Sequence, residues 1–269
     1  MKRIIGWLVA MGVLVGLFWW LDESDRLEVT HHRIGEAGEA NAALRIVQVS
    51  DLHVKGGAVV EEKVIQAINT EDPDILVLTG DMVDHRHKLA ALDDFLGQLG
   101  KRSEKFAIFG NWEYWGGADL KALRKLYIKH RVQLLVNEAV VVQKGGKRFL
   151  LVGLDDAIAG RPDWDRAMAP HAGWKGPILV LAHNPKTVEQ WNTRIKQRIG
   201  GVAFSGHTHG GQITWFGQPI AANLWGIRCV AGWCQEGEWL LYVSRGIGTS
   251  RIPLRVGAQP ELAVFAWVF

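Results

Sequence analysis

The sequence contains little cysteine, which limits the kinds of metal site it can build. Cys229 and Cys234 are the only two cysteines in 269 residues. They lack CxxC spacing, and neither a third thiol nor a nearby imidazole accompanies them, which excludes a zinc site made of thiolates. Two interpretations of the pair stay open. The cysteines form a disulfide across a short hairpin if the domain lies outside the cytoplasm, or they are two small buried thiols.

The sequence also lacks an excess of charge of either sign. Its 31 Lys and Arg residues nearly balance its 28 Asp and Glu residues, and the net charge is +3. Electrostatic binding of nucleic acid is therefore not favoured. No fixed-period repeat or low-complexity tract stands out. Because 48% of the residues are hydrophobic, the chain can bury one sizeable core, and we expect a single domain with no nucleic-acid partner.

One long uncharged hydrophobic run is present, at residues 4–21. As a helix it would span about 27 Å, close to the thickness of a bilayer's hydrocarbon core. A cleaved signal peptide is the alternative, but the end of the run lacks a small-x-small cleavage site, and Trp19 and Trp20 resemble an interfacial belt. A buried soluble helix is disfavoured because no face is polar. We expect an uncleaved transmembrane helix within an anchor over residues 1–25.

The charges on either side of this run predict its orientation. Two cations precede it and three carboxylates follow it: Lys2 and Arg3, then Asp22, Glu23 and Asp25. The positive-inside rule then places the N-terminus in the cytoplasm and the domain outside, which predicts a single-pass protein of the cell membrane with a periplasmic domain. Residues 26–43 are polar and suit a tether or a short exposed edge strand, so the domain is expected over 44–269.

From Leu44 onwards, short apolar runs rich in β-formers alternate with stretches of helical spacing, which indicates an α/β fold. Strands are predicted at 44–50, 75–79 and 106–109, and helices at 59–69, 89–99 and 120–130. Later runs read mostly as strands, at 140–143, 149–154, 178–182, 201–205, 239–244 and 262–268. The first half therefore predicts parallel α/β units and the second half a strand-rich partner sheet.

Polar side chains directly follow five of these apolar runs. They lie in Asp51-Leu52-His53, Gly80-Asp81-Met82-Val83-Asp84, Gly110-Asn111-Trp112-Glu113, His183-Asn184-Pro185 and Gly206-His207-Thr208-His209. Ligands of open α/β sheets bind at the carboxyl ends of the strands, so these side chains are expected to converge. Asp, Asn and His together suit zinc, manganese or iron, and cations would stabilise such a cluster of carboxylates and imidazoles.

These segments resemble the motifs of the calcineurin-like metallophosphoesterase family, which read D-x-H, GDxxD, GNH[DE], a lone His and GHxH. Residues 207–212 and 244–250 are further similar to a bacterial membrane-linked branch of that family. The resemblance implies a four-layer α-β-β-α double sandwich that holds two divalent ions (Mn, Zn or Fe). It also implies the metal ligands: Asp51, His53 and His209 for one ion, Asn111, His183 and His207 for the other, and Asp81 as the bridge.

The function implied by this resemblance is hydrolysis of a phosphoester by a hydroxide that bridges two metal ions. We expect a phosphodiesterase whose substrate is a membrane or envelope phosphoester, including lipid-linked ones. Near Gly246 and Gly248, three arginines are candidates for binding the substrate's remaining charge: Arg245, Arg251 and Arg255.

One position departs from the family pattern, because Trp112 stands where the family has a histidine that resembles the proton donor. An indole does no acid–base chemistry near neutral pH. Either the leaving group departs unprotonated, or another residue supplies the proton, and His85 beside Asp84 is the candidate acid.

Two alternative functions stay open. The UDP-2,3-diacylglucosamine pyrophosphatases of lipid A synthesis have similar metal motifs and also lack that histidine. A phosphoanhydride has a good leaving group, although the predicted topology argues against a cytoplasmic UDP-sugar. The other alternative is a non-catalytic binding protein on the same fold, against which the complete set of costly polar ligands argues.

Overall fold

The structure is a computed structural model that describes Trp7 and residues 22–35, 43–144, 146–194, 201–215, 218–219 and 226–269. Apart from Trp7, the predicted anchor run at 4–21 lies outside these residues. Within the described ranges, no helix is both long and apolar enough to cross a membrane.

The described strands alternate with short helices. In chain order the strands are β1 (Glu28–Ile34), β2 (Leu44–Val49), β3 (Ile75–Thr79), β4 (Glu104–Ile108), β5 (Val132–Leu134), β6 (Glu138–Lys144), β7 (Lys147–Gly153), β8 (Ile178–Leu181), β9 (Gly201–Ser205), β10 (Thr214–Trp215), β11 (Gln218–Pro219), β12 (Gly232–Glu236), β13 (Trp239–Val243) and β14 (Glu261–Trp267). The α-helices are α1 (Val59–Glu71), α2 (Leu89–Gly97), α3 (Asn111–Trp115), α4 (Leu120–Lys129), α5 (Trp164–Met168) and α6 (Pro185–Arg194). Short 3₁₀ turns lie at Arg86–Lys88, Ala169–His171 and His209–Gly211.

The strands form two six-stranded mixed sheets and a two-stranded ribbon of β10 and β11. The first sheet has the order β1-β14-β2-β3-β4-β5, with β2 to β5 parallel and β14 antiparallel to β2. The second sheet has the order β12-β13-β9-β8-β7-β6, with β7, β8, β9 and β13 parallel. The predicted α/β fold with two sheets is confirmed.

The side chains of the first sheet alternate between two cores, as the pleat requires. Leu76 and Leu78 of β3 face the core that includes buried residues of α1, α2 and α4, whereas Ile75 and Val77 face the second sheet. The far face of the second sheet packs with Ala167 of α5 and Val188 of α6. Four layers result, in the order α-β-β-α. The apolar runs are continuous because both faces of these strands are buried.

Part of the segment predicted as a tether lies within the first sheet. Strand β1 pairs in parallel with β14, from Glu28 beside Glu261 to Ile34 beside Trp267. It forms an edge of the sheet, which is the alternative that the polar composition of residues 26–43 left open. The folded domain thus includes residues before Leu44.

The two cysteines form a disulfide, which decides between the two interpretations of the pair. Cys229 is buried and precedes β12, and Cys234 lies in β12, with their Cα atoms 6.2 Å apart. The bond closes a short loop beside the second sheet.

Candidate metal centre

The seven predicted metal ligands lie at one edge of the molecule, where the parallel strands of both sheets end. Asp51 and His53 follow β2, Asp81 follows β3, Asn111 begins α3, His183 follows β8, and His207 and His209 follow β9. The two sheets are joined here by a direct contact, because the backbone N–H of His207 donates to the carboxylate of Asp51, with N···O distances of 3.1 and 3.0 Å.

Five of the seven ligands have left-handed backbone conformations. Their φ angles are +52° at Asp51, +43° at His53, +55° at Asp81, +70° at His207 and +53° at His209. Such a conformation costs a non-glycine residue about 1–3 kcal/mol and persists only where the surrounding structure holds it. This backbone conformation turns the side chains towards one site at the ends of the strands.

The first ligand group consists of Asp51, His53 and His209, whose ligand atoms lie within 4.8 Å of one another. His53 Nε2 is 3.2 Å from His209 Nε2, and His209 Nε2 is 3.5 Å from Asp51 Oδ1. All three side chains are buried. Two imidazole nitrogens and a carboxylate oxygen thus face one point.

The second ligand group consists of Asp81, His183 and His207, again within 4.8 Å. Asp81 Oδ2 is 3.2 Å from His183 Nε2, and Asn111 Oδ1 is 2.8 Å from His207 Nδ1, which brings the amide to this group. Asp81 Oδ2 also lies 3.8 Å from His53 Nε2 of the first group. One carboxylate oxygen is therefore shared between the two groups.

The hydrogen bonds of the buried histidines fit two cations. His183 Nδ1 lies 2.8 Å from the carbonyl oxygen of Thr79, to which it donates its proton, so Nε2 is the nitrogen that faces Asp81. Neither His183 Nε2 nor His53 Nδ1 has a hydrogen-bond partner, although both atoms are buried. Orphaned nitrogens beside carboxylates are costly in a protein interior unless a cation binds them.

The electrostatics of the second group also favour a positive charge beside Asp81. Burial alone would raise the pKa of Asp81, but His183 and His53 outweigh it and lower that pKa. Burial alone would lower the pKa of His183, but Asp81 raises it well above the usual value. Burial lowers the pKa of both His207 and His209, which favours the neutral form of each ring.

Glu113 is a buried residue of the site to which the sequence reading assigned no role. Its carboxylate accepts N–H groups from Gly110 at 2.8 Å, Asp81 at 3.0 Å, Met82 at 2.6 Å and Val83 at 3.3 Å. Burial, followed by repulsion from Asp81, raises its pKa to about 7. The side chain fastens the turn that carries Asp81 to the start of α3. An acid at the third position of a helix that begins after Gly110 is a capping pattern visible in the sequence.

The structure places the three predicted substrate arginines in different environments. Arg255 is fully buried and donates to His209 Nδ1 at 3.1 Å and to the carbonyl oxygens of Gly248 and Ala258 at 2.6 and 2.9 Å. Burial lowers its pKa to about 10. Arg255 thus contacts the predicted ligand His209 from its buried side and has no exposed surface.

The other two arginines lie nearer to solvent. Arg245 pairs with Glu28 at 2.6 Å and with Glu261 at 3.2 Å. Arg251 is exposed and lines a cavity of about 490 Å³ that opens onto the ligands Asp81 and His207. Of the three predicted substrate arginines, Arg251 is the one that lines this cavity.

The candidate residues for proton transfer are not gathered at the cavity. Asp84 Oδ2 lies 4.0 Å from His53 Nδ1, whereas His85 is exposed, contacts the ring of His87 at 4.5 Å and is not among the residues lining the cavity. Trp112 lines the cavity instead, with its ring 6.0 Å from that of His53. Its backbone N–H donates to Asp81 Oδ1 at 2.8 Å, which leaves Oδ2 for the two ligand groups.

Comparisons with known proteins agree with this arrangement. The family model for calcineurin-like phosphoesterases matches residues 44–211. Phosphodiesterase YaeI of Escherichia coli is 30% identical over 249 residues, which cover 90% of this chain and 88% of that protein. Metallophosphoesterase YkuE of Bacillus subtilis is 30% identical over 253 residues, which cover 90% of this chain and 86% of that protein.

Two further matches concern membranes and the fold. A bovine transmembrane protein with a metallophosphoesterase domain is 31% identical over 253 residues, which cover 88% of this chain and 55% of that protein. Among solved structures, sulfate thiohydrolase SoxB of Thermus thermophilus, in complex with glycerol, superposes with a TM-score of 0.53 at 12% identity, covering 86% of this chain and 58% of that one. At this identity the likeness shows the fold alone.

Proposed function

The chain belongs to the calcineurin-like phosphoesterase family, and we propose that it is a dinuclear metal-dependent phosphodiesterase acting on a membrane or envelope phosphoester. The observation that carries this proposal is the sharing of Asp81 Oδ2 between two buried ligand groups. We propose Mn, Zn or Fe as the two ions, because the ligands are carboxylate, amide and imidazole groups. When bound, such ions activate water and neutralise phosphoryl oxygens.

The chain's own residues would orient the reaction. The turns held by Glu113 and by the Trp112 backbone keep the Asp81 carboxylate fixed between the two ligand groups. Arg251 at the cavity would bind a phosphoryl oxygen that faces away from the ligands. Such fixed geometry lowers the cost of orienting the substrate.

The leaving group would depart with little help from a protein acid. Trp112 occupies the cavity where a proton donor would be useful, and its indole does no acid–base chemistry near neutral pH. We keep Asp84 with His85 as the candidate acid, and the exposed position of His85 favours substrates whose leaving oxygen is stable unprotonated. Aryl diesters and phosphoanhydrides have that property.

The same observation keeps the UDP-2,3-diacylglucosamine pyrophosphatase reading as a second candidate. A phosphoanhydride would tolerate Trp112, but its nucleotide is cytoplasmic, whereas the charges around residues 4–21 predict a periplasmic domain. We propose the periplasmic, membrane-anchored arrangement. The disulfide between Cys229 and Cys234 and the transmembrane description of the bovine relative support it.

The test uses the full chain, purified in detergent, freed of metal and reloaded with Mn²⁺ or Zn²⁺. Bis(p-nitrophenyl) phosphate, p-nitrophenyl phosphate and UDP-diacylglucosamine are compared as substrates. We expect the diester to have the highest kcat/KM. Asp94→Asn, which removes an exposed carboxylate on α2 away from the cavity, serves as the control with unchanged activity. Turnover of none of the substrates with either metal would leave a non-catalytic binding protein as the better reading.

A further inference from the structure

The mouth of the cavity carries exposed hydrophobic side chains. Trp115 is 52% exposed and Ile158 is 48% exposed, and both line the cavity. Ile252, also 52% exposed, directly follows the cavity residue Arg251. Seven large hydrophobic residues are exposed in the described part of the chain, and two of the seven line this cavity. Large apolar side chains gathered at a cavity mark a binding surface more often than chance exposure does.

These apolar residues are held in place before any ligand binds. The ring of Trp115 packs edge-on against that of Trp112, with centroids 5.9 Å apart. The neighbouring Tyr114 hydroxyl donates to Asp155 Oδ1 at 2.5 Å, which joins α3 to the loop that carries Ile158.

The loop itself is held by hydrogen bonds from its backbone N–H groups to two aspartate side chains. Asp156 Oδ1 accepts the N–H groups of Ile158 at 2.8 Å and Ala159 at 2.7 Å, and Asp155 Oδ2 accepts that of Arg161 at 2.9 Å. A surface ordered in this way loses little conformational entropy when a ligand covers it.

Two polar side chains of this lining, Gln212 and Thr208, form hydrogen bonds within the protein. The side chain of Gln212 donates to the carbonyl oxygens of Ile252 at 2.6 Å and Leu254 at 3.1 Å and accepts the N–H of Ser250 at 3.1 Å. Thr208 donates its hydroxyl to the carbonyl oxygen of Val230 at 2.6 Å. These two side chains therefore have few hydrogen-bonding groups left with which to recognise a sugar or a base. The lining adds two cations, Lys186 and Arg251, and its single carboxylate is the metal ligand Asp81.

We propose that the cavity selects phosphodiesters in which one alcohol is an aliphatic chain. The chain would lie on Trp115, Ile158 and Ile227, while the phosphate meets the ligand groups and Arg251. This inference rests on the proposed phosphodiesterase function and adds the chemical class of its substrate. Burial of the chain gives affinity in proportion to the apolar area removed from water.

The test measures kcat/KM for alkyl p-nitrophenyl phosphates with methyl, butyl, hexyl and octyl chains, each below its micelle concentration, on the Mn²⁺-loaded full chain. In each reaction, water adds to phosphorus, the bond to the nitrophenolate oxygen breaks with its electron pair, and an alkyl phosphate and a proton are released. We expect kcat/KM to rise with chain length, by up to about fourfold per methylene while the chain is being buried.

Two substitutions at the mouth should flatten this dependence. Trp115→Gln and Ile158→Gln each remove apolar surface, so the ratio of octyl to methyl kcat/KM should fall at least about tenfold in each. The methyl ester serves as the reference within each variant, so a uniform loss of activity cancels. Trp115→Phe, which keeps an aromatic ring, should retain most of the dependence. Ile128→Gln, at a 74% exposed isoleucine on α4, is the matched control and should change nothing.

The outcomes separate this inference from the function on which it rests. Equal kcat/KM for all chain lengths in the unsubstituted protein, with the methyl ester still hydrolysed, would overturn the substrate class and leave the phosphodiesterase. An unchanged octyl-to-methyl ratio in both mouth variants would overturn the assigned surface. No hydrolysis of any diester would refute the proposed function itself.

Discussion

The two ligand groups of the metal centre differ in the charge that lies behind them. Behind the first group, the buried guanidinium of Arg255 is 3.1 Å from His209 Nδ1. Behind the second group, the buried carboxylate of Glu113 accepts the N–H of Asp81 at 3.0 Å. A cation behind a site opposes the binding of another cation. An ionised carboxylate favours it, and Glu113 becomes ionised as the pH rises through its pKa of about 7. The two groups therefore should not hold their ions equally, and the second should fill first.

The comparison also shows how each group is oriented. His183 of the second group donates Nδ1–H to the carbonyl oxygen of Thr79, which commits Nε2 to the site. His209 of the first group instead faces a donor, because a guanidinium has no acceptor atom. The second group is oriented by backbone that belongs to the first sheet, whereas the first depends on a side chain from a distant loop.

Removing the ligand that both groups share should abolish the difference between them. Asp81→Asn takes away the charge that holds His183 and reaches His53, so both ions should bind weakly. We expect kcat/KM for bis(p-nitrophenyl) phosphate to fall by more than about 100-fold, which exceeds the usual effect of residues behind a ligand. Metal content, measured by mass spectrometry after gel filtration, should fall below one ion per chain. Retention of two ions would contradict the shared role.

Removing the charge behind the second group should reverse the order of filling. Glu113→Gln keeps the length of the side chain but removes the carboxylate that orients the Asp81 turn. Affinity for the tighter ion should fall about 10- to 100-fold, as expected when a residue behind a ligand is lost. Calorimetric titration of the metal-free protein with Mn²⁺ measures it. Glu62→Gln, at an exposed position of α1, is the control, and an unchanged first binding step in Glu113→Gln would count against this assignment.

Replacing Arg255, the cation behind the first group, tests how much this side chain stabilises the fold. Arg255→Lys keeps the charge but cannot reach all the carbonyl oxygens that Arg255 contacts. Unpaired buried carbonyls should lower the free energy of unfolding by about 1–3 kcal/mol. Urea denaturation of the metal-free protein measures this change. Arg251→Lys, at the exposed cavity arginine, should unfold like the unsubstituted protein, and equal stability of both variants would contradict the role of Arg255.

Restoring a titratable ring beside the first group should have the smallest effect. Trp112→His places an imidazole where the cavity has an indole. We expect an increase on the order of 10-fold in kcat for methyl phenyl phosphate relative to methyl p-nitrophenyl phosphate. This increase is smaller than the effect of a well-placed acid, because Asp84, which would have to orient the new imidazole, lies beside His53. An unchanged ratio would mean that proton donation at this position does not limit the reaction.

The sequence predicted the alternating elements well where apolar runs were long, and less well where elements were short. The strands at 75–79 and 201–205 were placed to the residue. The short strand β5 and the five-residue helix α3 were not predicted, because three to five residues carry too little periodicity to distinguish them from loops. The segment of β1 was predicted only as a tether or a short edge strand, because a half-exposed edge strand needs no continuous apolar run.

The sequence by itself determined the identity of the candidate ligands, because their types and their positions directly after buried strands are local properties. The resemblance to a family implied which ligands form each group, and only the tertiary structure decided which charge lies behind each group and which arginine meets the cavity. Arg251 and Arg255 are four residues apart in the same loop, yet one is exposed and the other fully buried against His209. Burial of a charged side chain depends on donors and acceptors that arrive from distant segments, and local sequence does not specify that meeting.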